Sequence, residues 1–286
     1  MVEYGAPKNK HLKYLIYFIC LSTILGVNLY FRTYPSTFSH MNKVAEFQVQ
    51  DSLKKAAETL VEQKWSGYSQ VVRKLQVENI EKETRKSSNY TSLVKDKLKK
   101  ITDSYKDSSG TTYLSEIDTY QWLRYTANII NHGYPGDIKK DGISWDTLMT
   151  APYGHKVTNH QFLFYSTAWL YKLYCFCLPD ISIQKFCYFI PLLHISILLL
   201  LLFFFCARFF SIEAGLVATI LFGFSGLVMR NSMAGWYDYD IFNYIFPIAI
   251  IWLVAEALQR KTIRGIALFS AFAALLLGLF ASHWVG

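Results

Sequence analysis

Long apolar runs alternate with polar stretches along this chain, and the alternation predicts membrane-spanning helices. The first run, residues 14–31, carries no charged side chain and is long enough to cross a bilayer. Four later runs cover residues 186–207, 212–228, 241–258 and 266–281. The pattern therefore predicts about five transmembrane spans.

A short basic lead, residues 1–13, precedes the first run and contains Lys8, Lys10 and Lys13. Lysines in front of a span favour the cytoplasmic side, so a cytoplasmic N-terminus is predicted. No small-x-small cleavage site follows the run, which favours an uncleaved anchor over a signal peptide.

The largest polar region, residues 32–185, separates the first two runs. Its first part, residues 39–106, is rich in Lys, Glu, Gln and Ser. Apolar residues recur there at helical spacing; one such stripe consists of Val49, Leu53, Ala56 and Leu60. This spacing predicts an amphipathic helical hairpin inserted in a long loop.

The second part of the polar region is more aromatic. A helix is predicted to begin at Asp118 and to stop at Gly133 and Pro135. Residues 143–162 have no periodic pattern and are predicted to be irregular. Residues 162–174 combine Tyr, Trp and Phe, which is typical of a short helix at a membrane interface.

Composition agrees with a membrane protein that carries a polar insert. The chain of 286 residues is 52% hydrophobic and 17% aromatic, which is too apolar for an ordinary soluble domain. Its net charge of +8 comes from residues scattered over loops and insert, without a groove-binding motif, so nucleic acid is excluded as a partner. The partner that the pattern does predict is a lipid bilayer. The five cysteines suggest no disulfide framework.

Two carboxylates, Asp238 and Asp240, stand two positions apart where one apolar run ends and the next begins. Alternation of the spans places them on the non-cytoplasmic face, together with Asp118. Hard divalent cations take carboxylate oxygens, so these three residues are candidate ligands. The alternative is that acids are tolerated at a helix end because it reaches water.

Other polar residues carry weaker signals. Asp137, Asp141 and Asp146 are interpreted as solvated loop residues, and His155 and His160 lack a third partner for a zinc site. The chain contains neither a nucleophile elbow nor a phosphate-binding glycine loop. Hydrolase and ATP-driven functions therefore have no support.

The stretch RNSMAGWYDYDIFN, residues 230–243, resembles the oligosaccharyltransferase family. That family shows Ala/Ser-Gly-x-Tyr-Asp-x-Asp/Glu where its third span leaves the membrane. Three further segments agree: IDTYQWLRYTANIINHGYP around Asp118, FLFYSTAWLYKLY before the second span, and His283-Trp284 after the fifth. The insert at residues 39–106 has no counterpart in this resemblance.

The resemblance implies an all-α polytopic membrane protein of the GT-C type, with a large helical first extracytoplasmic loop. The implied reaction moves an oligosaccharide from a polyprenyl (di)phosphate carrier to the Asn side chain of Asn-x-Ser/Thr. The implied partners are the lipid-linked donor, the acceptor polypeptide and the bilayer. In a prokaryote the membrane would be the plasma (inner) membrane, with the active site on its extracytoplasmic face.

The same resemblance implies roles for individual residues around an ion that is Mn²⁺ or Mg²⁺. Asp118, Asp238 and Arg230 are the implied catalytic residues. The implied metal ligands are Asp118, Asp238 and Asp240, and the implied substrate-binding residues are Tyr237 and Trp236.

The chain departs from the family pattern in two respects. The usual arginine seven positions before the motif aspartate is Asn231 here, and Arg230 precedes it by one. The chain also ends after about five spans, which suggests a fragment without the acceptor-binding domain and inactive by itself. Two alternatives remain open: another GT-C enzyme that uses a lipid-phosphate sugar, and a non-catalytic truncated membrane protein.

Overall fold

A computed structural model of the chain describes residues 10–157, 161–178 and 181–283. The chain divides into two compact units. The first comprises Met1–Thr33 and Leu114–Gly286, and the second is Tyr34–Tyr113.

Helices account for most of the described residues. In chain order they are α1 (Lys10–Thr33), α2 (Met41–Lys64), α3 (Gln70–Lys86), α4 (Ser88–Asp103), α5 (Ile117–His132), α6 (Gln161–Cys177), α7 (Ile183–Phe209), α8 (Ile212–Gly223), α9 (Gly226–Arg230), α10 (Phe242–Gln259) and α11 (Ile263–His283). A 3-10 turn covers Tyr34–Thr37. Three short strands are β1 (Ile138–Lys140), β2 (Ile143–Asp146) and β3 (His155–Lys156).

The second unit is built along α2, against which both α3 and α4 pack. The buried side chains of α2 are small or β-branched: Ala45, Val49, Ala57 and Val61. The chain between α3 and α4 is extended at Ser87, and Gln50 of α2 donates a hydrogen bond to the Tyr90 hydroxyl at 3.1 Å just after it. The predicted hairpin at residues 39–106 lies within this unit, with its second arm divided into two helices.

Four helices of the described chain are long and apolar enough to cross a membrane: α1, α7, α10 and α11. All four belong to the first unit, where α10 packs on α11 and on α7, and α1 packs on α7 and α8. The predicted all-α polytopic membrane architecture is confirmed.

The apolar run at residues 212–228 forms two helices instead of one continuous helix. The first helix, α8, has 12 residues, and α9, with five, begins after Phe224 and Ser225. Ser225 is extended (φ −64°, ψ 137°), so the helical hydrogen bonding is interrupted there. At the end of α8 the chain passes close to α1, since a Cβ on Gly223 would stand 2.6 Å from Asn28 Oδ1.

The segment predicted to be irregular, residues 143–162, instead supplies two strands of an antiparallel sheet ordered β1-β2-β3. Trp145 pairs with Ile138 on one side and with Lys156 on the other. The prediction was wrong because strands of two to four residues are too short to produce a recognisable alternation.

The interpretation of Asp137 and Asp146 as solvated was also wrong, whereas Asp141 is exposed. The Asp146 side chain is 0% exposed, and Arg124 of α5 donates to its Oδ2 at 2.5 Å and to Asp137 Oδ2 at 2.6 Å. The Tyr125 hydroxyl also donates to Asp146, at 2.5 Å. These contacts attach the sheet to α5.

The aromatic segments form helices as predicted. Helix α5 ends at Gly133, whose φ of 85° suits a glycine after a helix terminus. Helix α6 packs on α5, burying Leu163 and Phe164 completely. The Phe164 ring stacks on Trp122 of α5, with 5.5 Å between ring centroids. The resulting core fixes α5 beside the start of α10.

Candidate functional site

The two acids at 238 and 240 lie in the connection between α9 and α10, which we call the acidic loop (residues 231–240). Backbone hydrogen bonds to two different helices hold this loop. The amide of Ala234 donates to the carbonyl of Arg32 in α1 at 3.1 Å, and the amide of Gly235 donates to the carbonyl of Tyr188 in α7 at 2.7 Å. A connection without regular structure is thus tied to the bundle.

The acidic loop also contacts α5 and the residues just before it. The Ser115 amide donates to the Gly235 carbonyl at 3.0 Å. Tyr237, which is 0% exposed, places its hydroxyl 2.7 Å from the hydroxyl of Thr126 in α5. Because Asp118 is in the first turn of α5, these two contacts bring it toward the acidic loop.

Four carboxylates belong to the acidic loop and to the start of α5. Asp118 is exposed, and Glu116 immediately precedes α5. Burial raises the pKa of Asp238 to about 6, while a hydrogen bond from the Tyr239 amide, at 2.6 Å, opposes the shift. The same pKa is raised further by the negative charge of its neighbours Asp240, Glu116 and Asp118. Asp118 and Asp238 therefore lie within range of each other's charge.

Asp240 has a different environment from Asp238. Asn231 donates a hydrogen bond from Nδ2 to Asp240 Oδ2 at 2.8 Å. Burial raises the pKa of Asp240, and the positive charge of Arg230 opposes that shift. Arg230 is exposed at the end of α9 with its guanidinium 5.0 Å from the centre of the Trp236 ring. Arg230 thus lies one position before the arginine of the family pattern. Asn231, which occupies the family's position, contacts Asp240.

A hard divalent cation fits these residues in donor chemistry and in charge. Carboxylate oxygens are the ligands that Mg²⁺ and Mn²⁺ favour. Asp118, Asp238 and Asp240 form no salt bridge within the described ranges of the chain, so their negative charge has no bonded counter-ion there. Among residues 10–157, 161–178 and 181–283, however, no three His, Cys, Asp or Glu side chains are placed so that together they could hold a metal ion.

Several residues of this region were missed or undervalued on the sequence alone. Glu116 had a recognisable signal, because Glu116-Ile117-Asp118 repeats the two-position spacing of the acids in the acidic loop. Arg32 and Thr126 had none, since their contacts with the acidic loop join residues far apart in the chain.

The aromatic end of α11 also reaches this region. His283 is 0% exposed, with its ring centroid 5.2 Å from that of Phe242 and 5.8 Å from that of Tyr239. The predicted cluster His283-Trp284 can be followed only in part, because Trp284 lies outside the described residues.

Comparison with known proteins identifies relatives. Residues 91–286 match the family model described as oligosaccharyl transferase STT3, N-terminal. A dolichyl-phosphooligosaccharide-protein glycotransferase of Methanococcus voltae is 27% identical over 190 residues, which is 64% of this chain and 20% of the relative. A protein of the same description from Methanocaldococcus jannaschii is 26% identical over 171 residues, or 57% of this chain and 18% of the relative.

The chain thus spans about a fifth of the length of these two relatives. The family match includes α5, the acidic loop and the two helices after it. Together with helices long and apolar enough to cross a bilayer, the match makes the chain an integral membrane protein. The chain belongs to the oligosaccharyl transferase STT3 family.

Proposed function

We propose that this chain forms the donor- and metal-binding part of an N-glycosylating oligosaccharyltransferase. The reaction transfers an oligosaccharide from a polyprenyl (di)phosphate carrier to the side-chain nitrogen of Asn in Asn-x-Ser/Thr. Family membership and the names of both relatives support this proposal. The observation that carries it is the hydrogen bond between Tyr237 and Thr126, which links the loop of Asp238 to the helix that has Asp118 in its first turn.

The exposure of each residue indicates its role in this proposal. Asp118 is exposed, so its carboxylate can accept a hydrogen bond from the incoming amide and draw the nitrogen lone pair out of conjugation. Asp238, which is half-buried among like charges, favours the presence of a positive charge. Tyr237 is fully buried and bonded to Thr126, and in this proposal it orients the acidic loop instead of contacting substrate.

The cation in this proposal is Mn²⁺ or Mg²⁺, held by Asp118 and Asp238 with Asp240 beside them. Such an ion supplies Lewis-acid stabilisation for the phosphate that leaves with the lipid. Arg230, exposed at the end of α9, adds positive charge for the same phosphate. In the transfer the C1–O bond to phosphate breaks, a C1–N bond to the acceptor amide forms, and the amide proton is released.

The proposed orientation has a cytoplasmic N-terminus and the acidic loop on the extracytoplasmic face, in the plasma membrane if the organism is prokaryotic. A basic cluster at the other end of α7 and α10 supports it. Arg208 Nε donates to Glu256 Oε1 at 2.7 Å and Arg260 donates to Oε2 at 2.6 Å. Lys261 follows in the short connection to α11 and Arg264 lies in the first turn of α11, as expected on a cytoplasmic side.

Metal binding can be tested on this chain directly. Mn²⁺ titrations of the protein in lipid nanodiscs, followed by electron paramagnetic resonance, should show one site in the wild type. Asp118→Asn and Asp238→Asn should each weaken that site about tenfold or more, because each removes an anionic ligand. Asp141→Asn, at an exposed acid in the turn between β1 and β2, is the matched control and should bind as the wild type. Equal affinity in all four proteins would refute the metal assignment.

Transfer can be tested in a chimera in which this chain replaces the matched fifth of the Methanococcus voltae relative. Membranes are supplied with lipid-linked oligosaccharide and an Asn-x-Thr peptide, and the product is identified by mass spectrometry. Oligosaccharide on the peptide, lost on Asp238→Asn, is the expected result. Transfer of only one sugar from a lipid monophosphate donor would instead indicate another glycosyltransferase.

A further inference from the structure

The most completely buried large side chain of the first unit is Arg32, in the last turn of α1. Its residue exposure is 0%. The guanidinium donates to four acceptors: Ser232 Oγ at 2.7 Å, Asn28 Oδ1 at 2.7 Å, the Gly223 carbonyl at 2.8 Å and the Asn28 carbonyl at 3.3 Å. Arg32 forms no salt bridge within the described chain, so neutral groups hold its charge.

The first consequence concerns the break between α8 and α9. A helix that ends inside an apolar bundle leaves carbonyl groups without helical partners, and each costs free energy unless another donor reaches it. Gly223 is the last residue of α8, and Arg32 supplies the donor to its carbonyl. A positive charge at a helix C-terminus is also favourable to the helix dipole.

The second consequence concerns the acidic loop itself. Arg32 Nε holds the hydroxyl of Ser232, which in turn donates to the Val228 carbonyl in α9. The backbone carbonyl of Arg32 accepts from the Ala234 amide at 3.1 Å. One residue thus holds the end of α8 and two positions of the loop that carries Asp238.

Arginine suits this position for a geometric reason. A planar guanidinium presents fixed donors in several directions, whereas the lysine ammonium is a single point at the end of a flexible chain. An uncompensated buried charge is costly, which argues against Arg32 being an ordinary packing residue. Hydrophobic packing alone would have been served by an apolar side chain.

We propose that Arg32 is a positioning residue for the ion and the donor phosphate of the acidic loop. It does not contact them; it sets the conformation of the loop through Ser232, Gly223 and Ala234. The inference rests on the proposed function as far as the ion is concerned. Its structural part, control of the loop by a residue of α1, stands without it.

Hydrogen exchange of the full chain in nanodiscs, with and without Mn²⁺, tests the proposal. In Arg32→Lys the amides of Ala234 and Gly235 should exchange about tenfold faster than in the wild type, and Mn²⁺ affinity should fall about tenfold. Arg208→Lys, at the end of α7, is the matched control and should leave both quantities unchanged. Circular dichroism verifies that helix content is retained.

A milder variant covers the case in which Arg32→Lys does not fold. Ser232→Ala removes the acceptor of Nε, and Ser196→Ala, whose hydroxyl bonds to Leu192 within α7, is its control. Faster exchange at Ala234 in Ser232→Ala alone supports the proposal. Unchanged loop exchange in Arg32→Lys or Ser232→Ala overturns it. A third outcome separates the two proposals. If the loop exchanges faster in the variants but the wild type binds no Mn²⁺, the role of Arg32 in the loop is supported and the proposed metal-binding function is contradicted.

Discussion

The hydroxyl groups of Tyr237 and Thr126 lie 2.7 Å apart in the interior of the first unit. Both residues are 0% exposed, so neither hydroxyl has water as an alternative partner. Tyr237 immediately precedes Asp238, and Thr126 is two helical turns beyond Asp118 in α5. This hydrogen bond thus links the elements that carry the two principal acids.

Removal of that hydrogen bond should weaken both stability and ion binding. Tyr237→Phe leaves the Thr126 hydroxyl buried with one partner fewer, at an expected cost of about 1–3 kcal/mol. The thermal unfolding midpoint in nanodiscs should fall, and the Mn²⁺ dissociation constant should rise. Tyr153→Phe, at a tyrosine that is 82% exposed, is the control and should change neither. An unchanged Mn²⁺ dissociation constant in Tyr237→Phe would show that the link does not orient the acids.

Mn²⁺ binding should depend on pH through Asp238. Its pKa is raised to about 6 by burial and neighbouring carboxylates, so a proton competes with the ion below pH 6. The affinity should fall about tenfold per pH unit between pH 6 and 5 and level off above pH 7. Isothermal titration in buffers of differing ionisation enthalpy would count the released proton. A flat profile from pH 5 to 7 contradicts this prediction.

Without divalent ions, Asp238→Asn should stabilise the chain at neutral pH. The raised pKa means that the ionised carboxylate is the disfavoured form in the folded state, so its contribution to stability falls as the pH rises toward and past 6. The variant's unfolding midpoint should therefore exceed that of the wild type at pH 7.5 and match it near pH 4. A lower midpoint for the variant at pH 7.5 would exclude this electrostatic penalty.

The contact between Arg124 and Asp146 should stabilise the chain at neutral pH and lose this effect in acid. Burial alone would raise the pKa of Asp146, but hydrogen bonds from Arg124, Tyr125 and two backbone amides lower it to about 2. Its stabilising contribution is complete above pH 4 and is lost as the pH falls through about 2.

Arg124→Met should accordingly cost about 3 kcal/mol at pH 7, since it leaves a buried carboxylate without its cation. The difference from the wild type should shrink below pH 4, as measured by hydrogen exchange of β2. Arg85→Met, at an exposed arginine that pairs with the half-buried Glu81, serves as control. A pH-independent difference would attribute the effect to lost packing.

The conformation at Gly235 should be intolerant of any side chain. Its φ is 90°, and a Cβ would stand 2.6 Å from Ser115 Oγ and 2.8 Å from Tyr188 Cε2. Gly133→Ala shares the positive φ but meets no atom within 4 Å. Gly235→Ala should therefore lower the unfolding midpoint more than Gly133→Ala does, and equal losses would indicate backbone strain alone.

The helical architecture was accessible from hydrophobic patterning because long uniform runs admit few alternatives. Helix α5 was also predictable, since Gly133 and Pro135 mark its end. The division of residues 212–228 had a local signal, because Ser225-Gly226 is a pair typical of a break. The contacts of this segment with Asn28 and Arg32 of α1 were not predictable, because the pattern of one segment holds no information about a distant neighbour.

The candidate site was predicted at Asp118, Asp238 and Asp240 because two of these acids are two positions apart and the alternation of apolar runs predicts one face of the membrane for all three. Glu116 was within reach of the same reasoning. The buried state of Asp146 was not, because a carboxylate that is followed by polar loop residues gives no sign that an arginine 22 positions earlier will pair with it.

The surroundings of Arg32 imply an evolutionary constraint. Asn28, Gly223 and Ser232 each meet this guanidinium, and a Cβ on Gly223 would collide with Asn28. Replacing Arg32 or one of its acceptors leaves the remaining polar groups without a hydrogen-bond partner. Substitutions at these positions should therefore be epistatic, and they should be tolerated only in combination. Arg32 and Ser232 are 200 residues apart in the chain, yet they are expected to vary together among relatives.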